Sequence, residues 1–363
     1  MFRVLYDIKN NVNTRTFYEE KYSLETINSL FELNIITYEK SNVSNNIKEL
    51  TECNCARLFF ELTSKCNLKC AYCYGGFSAL KHDELCLNDI ISVLENAKTH
   101  GTYQIDFTGG EPLLFKNLDK LLKYCYLNGF LVRIFTNLTL FNDKYLLMFK
   151  EYMVKEIVTS VDSCHATCHD SFRGVPQSFE KTIEAIKILK INDIPITINS
   201  MIGKHNKDHV NEFVDFIDSF NVKSVLDVII PEGQANNLDN SIEESSKIIK
   251  NIYDNHYKII DKNALAVNCG LGKRFVYIKS DKNVYPCPSM TGTEHVLGDI
   301  KTFDIVNIWG NLTSKFNYCC DKKTNKCKNC SGGCRVRANI LHNSMTAEDD
   351  VYCIINGVEN GKN

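Results

Sequence analysis

Six times between residues 57 and 231, a short β-branched run gives way to an amphipathic segment of helical length. The strand candidates are 58–62, 103–107, 131–135, 154–161, 195–201 and 224–230, and the segments between them include 89–98, 118–128, 179–190 and 209–220. In 179–190, Phe179, Ile183 and Ile186 share one face with Leu189 at its margin, while Glu180, Lys181, Glu184 and Lys187 lie outside it. That is the period of a half-buried helix. Repeated strand–helix units predict an α/β fold built on a parallel sheet. Such sheets place their ligand sites at the C-terminal ends of the strands, so the residues just past each run are where chemistry is expected.

Just past the first run comes Cys66-Asn67-Leu68-Lys69-Cys70-Ala71-Tyr72-Cys73. Three thiolates on one tight loop can hold three irons of a cubane [4Fe–4S] cluster. A cluster that only carries electrons is normally held by four, so three leave an iron open to a small molecule. The same cysteines also suit part of a structural zinc site, which four ligands close; spacing alone leaves both readings open. After the second strand run stands Thr108-Gly109-Gly110-Glu111-Pro112-Leu113. Two glycines let the backbone approach a ligand, and the carboxylate can accept from an ammonium group.

With these motifs on the page, the chain resembles the radical S-adenosylmethionine (radical SAM) superfamily over most of its length. The resemblance implies that Cys66, Cys70 and Cys73 ligate a [4Fe–4S] cluster whose open iron binds the methionyl amine and carboxylate of S-adenosylmethionine. Tyr72 would lie near the adenine, and Gly109, Gly110, Glu111 and Pro112 would meet the methionyl amino group. Asn137, in Phe135-Thr136-Asn137, matches the end of the family's third strand, and the resemblance counts it among the S-adenosylmethionine-binding residues. Ser160 and Asp162 match its Ser-x-Asp, whose side chains face the ribose. Arg173, in His169-Asp170-Ser171-Phe172-Arg173-Gly174, would sit near the cofactor carboxylate. The fold implied is a partial (β/α)6 barrel, open on one side, over 56–238.

The chain carries 17 cysteines in 363 residues. With no signal-peptide core at Met1-Phe2-Arg3-Val4-Leu5-Tyr6-Asp7 and no apolar run of spanning length, a cytoplasmic protein is expected. There, many cysteines point to metal or redox chemistry rather than disulfides. Net charge is −2, from 42 basic and 44 acidic residues, so there is no electrostatic case for nucleic acid or an anionic membrane. Cys125, on a helical segment, reads as a small buried hydrophobe.

Residues 1–55 read as a small α+β module, either a packing extension or a short leader-peptide recognition element that adds a peptide strand to a sheet edge. A polar helix is expected in 239–264. The cysteine-rich end, 265–363, holds Cys269, Cys287, Cys319, Cys320, Cys327, Cys330, Cys334 and Cys353. It resembles the SPASM domain or its shorter twitch relative, which implies one or two auxiliary iron–sulfur clusters. One would use Cys269, Cys287 and Cys334; the other Cys320 (or Cys319), Cys327, Cys330 and Cys353. The family's usual cysteine run is compressed here, and Lys282 stands where its hairpin glycine is usual.

The function implied is peptide maturation, in which hydrogen abstraction from a ribosomal precursor peptide leads to a thioether or related crosslink. The partners implied are that peptide and a low-potential reductant such as flavodoxin or ferredoxin. Two alternatives stand beside it. One is an anaerobic sulfatase-maturing enzyme, against which Pro288 counts, because that group usually places an acid after the hairpin cysteine. The other is a non-catalytic iron–sulfur or zinc protein, which explains the cysteines but not the strand-end motifs.

Overall fold

The computed structural model describes residues 55–255, 271–272, 274–316, 320–321 and 333–356. The N-terminal module, all but Cys55, lies outside them, as do 256–264 and Cys269, Cys319, Cys327 and Cys330.

The six strand runs form β1 (Arg57–Glu61), β2 (Gln104–Thr108), β3 (Leu131–Phe135), β4 (Glu156–Ser160), β5 (Ile196–Ile202) and β6 (Lys223–Val228). Each pairs in parallel with the next, as helical crossovers require. The helices are α1 (Leu87–Thr99), α2 (Leu118–Leu127), α3 (Asp143–Glu151), α4 (Ala166–Arg173), α5 (Ser178–Ile191), α6 (Val210–Ser219) and α7 (Ile242–Asn255). The helix α1 buries Ile90, Val93, Leu94 and Ala97, one stripe at helical spacing against the sheet. Cutting such a side chain back, as in Leu94→Ala, costs about 2–5 kcal/mol through lost transfer energy and the cavity left behind. Cys125 is buried on α2.

Register is reinforced by a charged row. Asp106 on β2, 1% exposed, pairs with Arg133 on β3 at 2.6 Å, and Arg133 reaches Glu156 on β4 at 3.4 Å. These residues face one another in the ladder. A slip by one residue would move the whole row to the other face of the sheet.

Three further strands extend the sheet past β1: β7 (Phe275–Ile278), β8 (Asn283–Tyr285) and β9 (Gly298–Asp299), giving the order β6-β5-β4-β3-β2-β1-β7-β8-β9. The strand β7 runs parallel to β1, Arg57 opposite Phe275 and Phe60 opposite Ile278, while β8 and β9 return antiparallel. The cysteine-rich end therefore shares a sheet with the barrel, and β1 is interior to it. Helices α8 (Ile305–Lys315), α9 (Arg335–His342) and α10 (Asp350–Ile355) follow. No helix among the described residues is long and apolar enough to cross a membrane.

Candidate functional site

The loop of Cys66, Cys70 and Cys73 is fastened by backbone hydrogen bonds to several strand ends. Beyond β2, the amides of Gly110 and Glu111 donate to Thr63 and Lys65 carbonyls, both at 2.7 Å. The amides of Lys69 and Ala71 donate to Arg173 and Phe172 on α4, at 3.0 and 2.9 Å. The Gln234 amide, beyond β6, donates to the Cys73 carbonyl at 3.0 Å. A Cβ on Gly110 would stand 2.0 Å from the Lys65 carbonyl oxygen, so only glycine allows this approach. Gly233, which motif reading missed, has φ +58°, and a Cβ there would meet the Tyr74 carbonyl oxygen at 2.3 Å.

The loop's sulfurs are withdrawn from water. Burial pushes the Cys66 thiol up to about 12; the Leu68 amide donating to its sulfur opposes this, and nearby Glu111, Cys70 and Cys73 add to it. Burial likewise raises Cys70, against the pull of Arg173, whose Nη1 donates to its Sγ at 3.8 Å. As thiols, such groups keep their protons at neutral pH. A cationic iron centre replaces those protons and relieves the charge penalty. Cys66 and Cys70, both raised by burial, with Cys73 close beside them, are thus a donor set suited to iron–sulfur ligation.

The residues expected beside the small-molecule cofactor divide into two sets. The first lines one wall. The Tyr72 ring stacks on Phe172 with centroids 4.9 Å apart, and Phe172 stacks on His205 at 3.7 Å. Arg173 lies 5.2 Å over the Tyr72 ring and pairs with Asp162 at 2.7 Å, both side chains almost fully buried. Burial raises the Tyr72 phenol well above its usual value, and Ser160 hydrogen-bonds it. Two enclosed nitrogens, Arg173 Nε and His205 Nε2, have no hydrogen-bond partner among the described residues. Buried polar groups are normally paired, so this wall suits a polar ligand. His205 was missed by motif reading, yet it lies just past β5, where the strand-end rule points.

The second set braces the loop. Glu111 is 0% exposed. Its carboxylate accepts from the Thr136 hydroxyl at 2.6 Å, the Asn137 amide at 2.8 Å and the Leu113 amide at 3.0 Å. Burial outweighs these bonds and lifts its pKa to about 7. Asn137 Nδ2 in turn donates to Asn67 Oδ1 at 3.0 Å, within the cysteine loop. Pro112 opens a short 3-10 turn behind Glu111, and Gly109 abuts Thr63.

A buried carboxylate outside the motifs joins the loop to the C-terminal strands. Glu61, at the end of β1, accepts from the Tyr277 hydroxyl and the Ser280 hydroxyl. Tyr74, next to Cys73, hydrogen-bonds Tyr277.

Of the cysteines expected at auxiliary clusters, Cys287 follows β8, and Cys334 is the N-cap of α9, its Sγ accepting from the Arg337 amide at 3.5 Å. Cys353 is buried on α10. Asp349 organises both helix starts. Its carboxylate takes the Cys334 amide at 2.6 Å and the Arg337 guanidinium at 2.7 Å, and its carbonyl takes the Cys353 amide at 2.9 Å. Arg337 also reaches Asp227 on β6 at 3.1 Å, tying this region to the barrel. Cys320 is partly buried.

Comparison with known proteins agrees with this geometry. The profile of the radical SAM superfamily matches residues 60–217, and that of an iron-sulfur cluster-binding domain, SPASM, matches 269–332. The chain is 30% identical over 257 residues to an uncharacterised protein of Methanocaldococcus jannaschii, covering 67% of this chain and 88% of that one. It is 28% identical over 253 residues to the antilisterial bacteriocin subtilosin biosynthesis protein AlbA of Bacillus subtilis, covering 66% and 56%. It is 26% identical over 349 residues to an AdoMet-dependent heme synthase of Methanosarcina barkeri, covering 83% and 97%. Among solved structures, Streptococcus suis SuiB bound to precursor peptide SuiA superposes with TM-score 0.69 at 16% identity, covering 93% and 89%. The structure of anSMEcpe with bound AdoMet gives 0.70 at 20%, covering 83% and 95%.

Proposed function

The chain belongs to the radical SAM superfamily, and from that premise we propose that it matures a ribosomally made precursor peptide by installing a thioether or related crosslink. Its cofactors are S-adenosylmethionine and a [4Fe–4S] cluster, and its SPASM domain implies auxiliary iron–sulfur clusters. The observation that carries the peptide reading is the likeness to AlbA, a bacteriocin biosynthesis protein. SuiB, which shares the fold, was solved with its precursor peptide.

In this reading Cys66, Cys70 and Cys73 hold the first cluster, while Tyr72, Ser160, Asp162, Arg173 and the turn of Gly109, Gly110, Glu111 and Pro112 hold S-adenosylmethionine. When bound, these groups supply a 5′-deoxyadenosyl radical that takes a hydrogen atom from an unactivated carbon. The protein's own part is to bind, orient and enclose. Arg173, fixed by Asp162, offers Nε to an anionic group. The stack of Tyr72, Phe172 and His205 gives a flat aromatic edge. Glu111 and Asn137 hold the cysteine loop still, which keeps the reacting carbon in place. Cys287, Cys334, Cys353 and Cys320, with Cys269, Cys327 and Cys330, would hold the auxiliary clusters, which would supply an electron acceptor for the product-forming oxidation. Flavodoxin or ferredoxin supplies the first electron.

The test is anaerobic incubation of the reconstituted protein with S-adenosylmethionine, dithionite and a cysteine-containing candidate precursor peptide. Loss of two hydrogens per crosslink by mass spectrometry, with matching 5′-deoxyadenosine, is expected. A second reading, heme synthesis, is favoured by the length over which the M. barkeri enzyme aligns. Turnover of a tetrapyrrole precursor with no change in the peptide would replace the first reading with the second.

A further inference from the structure

Away from the cysteine loop, a second group of metal-binding side chains converges among the described residues. Cys164 and His165 lie between β4 and α4, and His209 stands at the start of α6. More than forty residues separate them in the chain. The parallel pairing of β4 with β5 brings the loops beyond the two strands together. Their donor atoms all fall within 4.8 Å of one another. The two imidazoles are tilted, with centroids 4.7 Å apart. Glu212, in the first turn of α6, comes within 3.4 Å of His165 Nε2. The Ser163 hydroxyl holds the His209 ring at 2.8 Å.

We propose that Cys164, His165 and His209 bind a zinc-class divalent cation, with Glu212 filling the fourth position. One thiolate, two imidazoles and a carboxylate form the borderline-soft donor set that zinc takes in tetrahedral geometry. Bonds of about 2.0–2.3 Å require the four donors to draw in by about an ångström. The side chains have that freedom: His165 is 48% exposed and Glu212 63%. An ion pair would explain His165 beside Glu212, and ring contact would explain His165 beside His209. The Cys164 thiol in turn hydrogen-bonds Glu212, so the thiol, both imidazoles and the carboxylate meet at one point. The Ser163 hydroxyl fixes ring orientation, as outer partners of ligating histidines do. The bound ion would clamp the loop leaving Asp162 to the start of α6, without touching the residues proposed to hold S-adenosylmethionine. The site stands independently of the substrate reading.

The test uses the full chain with its iron–sulfur clusters reconstituted, dialysed anaerobically against micromolar zinc. One zinc per chain by mass spectrometry is expected. Its K-edge absorption fine structure should show one sulfur at about 2.3 Å and nitrogen or oxygen at about 2.0 Å. His165→Ala and His209→Ala should each weaken zinc binding by at least about tenfold while iron content stays at the parent level. No retained zinc, or a shell made of sulfur alone, overturns the proposal whatever the variants do. Zinc binding unchanged in both variants overturns it as well.

Discussion

The guanidinium of Arg173 lies 3.8 Å from the sulfur of Cys70, with its far end 2.7 Å from the buried carboxylate of Asp162. One side chain thus joins the loop of Cys66, Cys70 and Cys73 to the end of the fourth strand. Removing it would strand Asp162 without its counter-charge. Arg173→Met is expected to cost about 3–5 kcal/mol and to abolish S-adenosylmethionine cleavage. Arg173→Met with Asp162→Asn should restore most of the stability and none of the cleavage. Anaerobic denaturant unfolding beside 5′-deoxyadenosine yield reads both. A single variant as stable as the parent would mean that the pair carries no structural weight.

Replacing Cys66, Cys70 and Cys73 together by alanine should remove about four irons per chain and leave the auxiliary iron in place. Iron and acid-labile sulfide, counted after anaerobic reconstitution, check this. Full retention of iron would show that the loop holds no cluster.

Two glycine substitutions should diverge. Gly110→Ala puts a methyl group 2.0 Å from the Lys65 carbonyl oxygen and forces the loop aside, at a cost of about 1–3 kcal/mol with reduced iron at the first site. Gly310 lies within α8 with nothing near its added Cβ, so Gly310→Ala should gain about 0.5–1 kcal/mol through helix propensity. Equal effects in thermal unfolding would refute the packing argument.

The acid side of the stability profile should carry the mark of His169. Burial, with Arg173 nearby, lowers its pKa to about 4 from an ordinary value of 6.5. Between these values the unfolded chain binds more protons than the folded one, so stability rises with pH across the window. It is full above about 6.5 and is lost toward 4, by about 3 kcal/mol at most. His169→Gln should flatten that slope in denaturant titrations run at several pH values. An unchanged slope would assign it to other groups.

The six strands of the barrel could be read from the sequence because each run is followed by a helical stripe, a local pattern. Pairing of β7 with β1 could not: Phe275-Val276-Tyr277-Ile278 reads as a strand but does not name its neighbour. Glu111 illustrates a different limit. Its motif marked a special turn, and the turn is there, but the three donors that meet its carboxylate come from the fold. Cys164 and His209 are unremarkable in sequence, because only the adjacency of two parallel strands brings them together.

That same pairing has a consequence for synthesis. The strand β1 is the first of the nine to leave the ribosome, and its β7 partner follows more than two hundred residues later. At cellular elongation rates this delay is roughly ten to forty seconds. Throughout it the nascent barrel presents an open strand edge beside the loop of Cys66, Cys70 and Cys73. An exposed edge is a template for wrong pairing, so cluster insertion and edge closure compete with aggregation on the same clock.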